Sequence, residues 1–165
     1  MAFDLLQHLN NLRASALVNH AVITDFITVQ DATARLAQDS PFVFARYWPS
    51  NTTTNAYYGV SVYNPSDVTH KFVHLSVVFT PGWASNYSRE EVNSALAARD
   101  SGVPSYTGRE NTLPGKQITE IRLDFPVPDS APAGFKFLAL GLLWGTHPSP
   151  DLVYCDINRF YVMKN

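Results

Sequence analysis

Hydrophobic and polar positions follow two different rhythms along this chain, and the change of rhythm outlines its elements. Near the start, Leu5, Leu9, Leu12 and Ala16 recur at helical spacing with Gln7, Asn10, Asn11 and Arg13 between them. This predicts an amphipathic helix over about residues 3–17. Residues 22–29 are rich in β-branched side chains and predict a strand, although Val22, Phe26 and Val29 also suit a helix, whereas residues 31–39 carry no pattern that assigns them. From residue 42 the period becomes two. FVFARYW at 42–48, YYGVSVY at 57–63 and FVHLSVVF at 72–79 each predict a strand. The run Asn64, Pro65, Ser66, Asp67 is turn chemistry, which makes the second and third of these antiparallel neighbours.

Residues 83–112 break the rhythm. SREE at 88–91 has the capping-box pattern, in which Ser88 caps a helix and Glu91 bonds back to it. Val92, Ala95 and Leu96 give that helix one apolar side, so a short helix and a polar loop are expected as an insert between strands. Alternation resumes in a strand that starts at Pro114 and Gly115. Ile118, Glu120, Arg122 and Asp124 fall on one face, and Thr119, Ile121, Leu123 and Phe125 on the other. Three prolines keep residues 126–134 out of any central strand. Residues 135–144 are apolar on both faces and predict the most buried strand, and 152–163 form the last one. About seven strands joined by turn-rich connections describe a mainly β, immunoglobulin-like antiparallel sandwich. It occupies residues 41–163 of a single domain, with the N-terminal helix in residues 1–20.

The motifs along these strands resemble a known group. YGVSVYNPS at 58–66 resembles the V-x-V-x-N-x-G/S strand and turn of bacterial adhesion-type immunoglobulin-like domains, often called CARDB-like. LPGK at 113–116 resembles their L-x-x-G entry to a middle strand, and 128–140 resembles the proline-led step that follows. The likeness runs over about residues 46–162 and is architectural. It implies binding or assembly only by analogy, because one fold hosts many functions.

Composition narrows the classes. Charged residues make up only 16% of the chain against 45% hydrophobic, which excludes a disordered segment. The formal net charge is −2 and the Lys and Arg residues are scattered singly, which argues against nucleic acid as partner. No run approaches the ~20 apolar residues of a membrane span. A start without a basic, apolar leader and a single cysteine, Cys155, together point to a cytoplasmic protein, or to one released without a signal peptide. The sequons at Asn51 and Asn86 then carry no glycan.

Candidate chemistry is sparse. His70 and His74 share a strand face, but a zinc site needs a third ligand, with His147 or Asp151 as the candidates, so no metal or other cofactor is expected. Cys155 beside Asp156 reads as a buried packing thiol. Glu90, Glu91, Glu110, Glu120 and Asp124 are the carboxylates from which a hydrolase site assembled by loops would draw. No phosphate loop, nucleophile elbow or triad order accompanies them.

The aromatics carry more. Trp83, Tyr87, Tyr106, Trp48, Tyr57 and Tyr58 lie at strand ends and around the insert, where rings with polar handles suit protein docking or sugar stacking. The competing expectation is that Trp48 and Trp83 plug the ends of the core. Leu5, Leu9 and Leu12 either pack on the domain's own sheet or form an interface with a partner. The expectation is therefore a non-enzymatic interaction or assembly module, self-associating or part of a larger particle. A lectin-like glycan binder and a hydrolase are the alternatives.

Overall fold

The computed structural model describes residues 4–16, 22–49, 55–79, 105–127, 136–146 and 152–163. Helix α1 spans Leu5–Ala16 and helix α2 spans Val29–Leu36. The strands are β1 (Val22–Phe26), β2 (Phe42–Pro49), β3 (Asn55–Tyr63), β4 (His70–Phe79), β5 (Ser105–Thr107), β6 (Asn111–Leu113), β7 (Ile118–Pro126), β8 (Lys136–Thr146) and β9 (Leu152–Met163). They form two antiparallel sheets, one ordered β1-β2-β3-β7 and the other β5-β4-β8-β9 with β6 also paired to β4. The fold is a mainly β sandwich. Among the described residues, no helix is long and apolar enough to cross a membrane.

Several expectations are corrected. The strand expected over 22–29 stops at Phe26, because Thr28 caps a helix by accepting a hydrogen bond at Oγ1 from the Asp31 amide. Residues 105–107 and 111–113, expected within a loop, pair with β4 as two short strands. The strand expected from Pro114 begins at Ile118. The expected helix at 88–102 lies outside the described residues.

The core sits between the sheets. Val60, Val62, Ile121 and Leu123 of the first sheet meet Val73, Leu75, Val77 and Leu143 of the second, as strand alternation requires. At its centre Tyr58 stacks on Phe160 at 4.5 Å between centroids and 11° between planes. Gly141 makes room for this, since a Cβ there would lie 2.5 Å from the Tyr58 ring. Burial holds the Tyr58 hydroxyl above the usual tyrosine range.

A second apolar cluster covers half of the first sheet's outer face. Leu5 and Leu9 of α1 and Ala32 of α2 pack over Phe42, Phe44, Ala45 and Tyr63. A register shift between Val43 and Ala45 puts Phe44 and Ala45 together on that side, while Val43 joins the inner core. Asp156 of β9 ties the layers together. Its carboxylate accepts from Arg35 of α2 at 2.9 Å, from Arg46 at 3.0 Å and from the Val43 amide at 3.1 Å, the last two on β2.

Candidate functional site

Among the described residues, no helix packs over the other part of that face, where Arg122 and Asp124 stand exposed, and strand register decides what they meet. Residues directly opposite one another in a sheet share a face. Thr24 pairs with Tyr47, Tyr47 with Gly59 and Gly59 with Arg122, so one row crosses all four strands. The next row brings Tyr57 beside Asp124, and the row on the helix side brings Ala45, Ser61 and Glu120 together.

The missing side chain at Gly59 shapes this surface. A Cβ there would overlap the Tyr47 ring, so the ring lies across β3 in the space that glycine leaves. Tyr47 and Tyr57 stand 6.4 Å apart between ring centroids. The Arg122 guanidinium sits 3.9 Å over the Tyr57 ring centre, a cation–π contact, and donates to Asp124 at 2.9 Å. That bond raises the pKa of Arg122 above its ordinary value. Ser61 Oγ lies 2.7 Å from both Glu120 oxygens and fixes that carboxylate, whose nearer approach to the Tyr47 hydroxyl is a loose 3.5 Å.

The Tyr47 hydroxyl is pushed up to about 12, first by burial and then by the negative charge of Glu120. The folded chain therefore holds this proton more tightly than the unfolded chain does. The associated stability is complete below pH 10.0 and is lost as pH rises from there to about 12. Denaturant melts across that window are expected to show a smaller alkaline loss for Tyr47→Phe than for the parent. Superimposable curves would remove Tyr47 from this role.

Ser61 is buried, and its hydroxyl orients the Glu120 carboxylate. One face of the Tyr57 ring is occupied by Arg122. What is presented outward is two partly exposed tyrosines, an arginine and two carboxylates.

The residues singled out from sequence are dispersed. Tyr57 belongs to the open face. Trp48 does not reach a surface site; it packs in the core, 5.5 Å from Phe160 and 6.4 Å from Tyr58. Tyr106 is half-buried and stacks on Phe125 at 5.7 Å. Leu5 and Leu9 are buried on the domain's own sheet, the first of the two places expected for them. Trp83, Tyr87, Glu90, Glu91, His147, Asp151 and the side chains of Leu12 and Cys155 lie outside the described residues.

On the second sheet, His74 stacks on Trp144 at 4.7 Å, and the Trp144 indole donates to Ser76 at 2.9 Å. Burial lowers the pKa of His70. Among the described residues no group of three or more His, Cys, Asp or Glu side chains stands ready to hold a metal ion. Glu110 is exposed in the connection between β5 and β6. Sequence reasoning placed Glu120 and Asp124 on one face with Arg122, but missed Tyr47, whose partner Gly59 becomes visible only with the β2–β3 register.

No family model, curated protein or solved structure matches the chain.

Proposed function

We propose that this chain is a non-enzymatic interaction module that self-associates, using the open half of the first sheet as its contact surface. The observation that carries the reading is the preorganised group of Tyr47, Tyr57 and Arg122, held in place by Gly59, Asp124 and Glu120. Tyrosine and arginine are the residue types that concentrate binding energy at protein interfaces. Here the stacking of Arg122 on Tyr57 limits the side-chain freedom that binding would otherwise have to remove. The strand order supports an immunoglobulin-like topology. In that topology β2, β3 and β7 take the A, B and E places, and β4, β8 and β9 take the C, F and G places. This agrees with the sequence resemblance to adhesion-type domains, a group in which the sandwich serves as a scaffold for contacts.

Light scattering over a concentration series tests the reading. The parent chain is expected to show a mass above that of one chain, rising with concentration. A Tyr47→Ser, Tyr57→Ser double variant with unchanged far-ultraviolet circular dichroism is expected to lose it. A parent that stays monomeric at every concentration contradicts self-association. An oligomer indifferent to both tyrosines contradicts this surface.

A further inference from the structure

Arg122 and Asp124 stand two residues apart on β7, on one face of the first sheet, with opposite charges. Their side chains are 53% and 67% exposed. Strand register sets Gly59 beside Arg122 and Tyr57 beside Asp124, with Tyr47 next to Gly59 on β2. Turning this strip end for end about the level of Leu123 exchanges Arg122 with Asp124. It also exchanges Tyr57 with Gly59, over which the Tyr47 ring lies. Each charge then faces its opposite and each ring faces a ring, so the surface is complementary to itself. We infer that a second copy of this chain docks here face to face, about a two-fold axis that crosses β7 at Leu123 and β3 at Tyr58, a directly paired couple. The inference rests on the interaction reading above and specifies which residues meet.

The axis lays Arg122 of each copy over Asp124 of the other. Within one chain, Nε and Nη2 of Arg122 both donate to Oδ1 of Asp124, at 3.2 and 2.9 Å. That leaves Nη1 and Oδ2 as the groups that meet across the axis. The internal bond is kept, and four charges of alternating sign close a ring. An ion pair this exposed contributes little on its own, and covering it with a second pair strengthens both. The Tyr57 ring, 3.9 Å from the guanidinium, limits its freedom before contact. Tyr57 of each copy comes over Gly59 of the other, so it packs against the Tyr47 ring that lies there.

Charge and the helix layer disfavour the neighbouring axes. A two-fold over Arg122 sets Arg122 on Arg122 and Glu120 on Asp124, like upon like. A two-fold running along β7 sets every charge of that strand over its own kind. One over Ile121 carries Asp124 to the level of Ile118 and Tyr63, which pack in the helix-covered cluster, so helix would meet sheet. With the axis at Leu123, the level of Glu120, Ser61 and Ala45 falls opposite Pro126, the last residue of β7. Ala45 marks where the helix cluster begins, so each helix layer clears the end of the other copy's β7.

Sedimentation velocity on the full chain tests the docking, with Arg122→Asp and Asp124→Arg run singly and as an equimolar mixture beside the parent. Alone, each variant sets like charges across the axis and is expected to associate at least about tenfold more weakly. In the mixture two acidic positions face two basic ones, and association is expected to return as a mixed dimer. Tyr57→Ser is expected to weaken association as well. Circular dichroism checks that each variant is folded. A parent that self-associates with both charge variants unaffected overturns this docking and leaves the interaction reading standing. Charge variants that weaken association, with a mixture that stays dissociated, overturn the Leu123 axis. Association that needs both charges but is unmoved in Tyr57→Ser overturns face-to-face contact. A parent that is monomeric throughout overturns both the docking and the self-association on which it rests.

Discussion

Asp156→Ala is expected to lower stability by about 3 kcal/mol, at the low end of the range for removing one member of a buried ion pair. The reason is the company that this carboxylate keeps. Only 11% of the Asp156 side chain and 14% of Arg46 are exposed, so the guanidinium left behind is largely out of water. Its remaining carboxylate, Asp25, is 3.8 Å away and half exposed, too weak a partner to compensate. The Val43 amide loses its acceptor and Arg35 loses the contact that anchors α2. The penalty thus falls on three elements at once: the last strand, the doubly covered strand β2 and the helix over it. A companion variant separates charge from packing. Replacing the pair together, Arg46→Met with Asp156→Leu, removes the stranded charge and is expected to recover most of the loss. Urea denaturation of the three proteins decides the matter. A loss under about 1 kcal/mol in Asp156→Ala would reduce the network to an ordinary surface contact.

Phe160→Ala is expected to cost more, about 3–5 kcal/mol. Phe160 is fully buried and forms the second sheet's half of the aromatic contact that joins the layers. Its ring stacks on Tyr58 at 4.5 Å and meets Trp48 at 5.5 Å, so truncation leaves two large rings facing a void. Ring pairs of this kind add about 0.5–1.5 kcal/mol beyond the area that they bury. The site has little room to collapse, because the Tyr58 ring already fills the space over Gly141. At 2–4 °C per kcal/mol for a domain of this size, the melting temperature should fall on the order of 10 °C. A fall under about 3 °C would mean that the sheets are held together elsewhere.

Much of this architecture is written in periodicity. The alternation at 118–125 alone separates the buried Ile121, Leu123 and Phe125 from Glu120, Arg122 and Asp124. The two-faced apolar run near 135–144 corresponds to a strand whose described side chains, 139–145, are all buried. Leu5 and Leu9 announced a helix, though not which surface they would cover. Elements with little apolar content stayed hidden. In α2 only Ala32 is buried, so a stripe has almost nothing to reveal it, and Thr28 as its cap was the one available signal. Strands β5 and β6 have three residues each, too short for a period to register, and depend on β4 for their existence.

The open face was half legible for a related reason. Its charged positions follow from parity within one strand, and Tyr57 was marked by its ring and polar surroundings. The placement of Tyr47 over Gly59 depends instead on the pairing of β2 with β3, which includes a register shift that no local pattern discloses. Asp156 has the same character. In sequence it is a neighbour of Cys155, and its three partners arrive from positions 110 to 121 residues away.

Hydrogen–deuterium exchange at low and high protein concentration tests most directly whether the open half of the first sheet is the contact surface. Concentration-dependent protection is expected in amides of β7 and the adjoining part of β3, with α1 and α2 unchanged. Protection confined to the helices or to the second sheet, or uptake identical at both concentrations, would contradict the account.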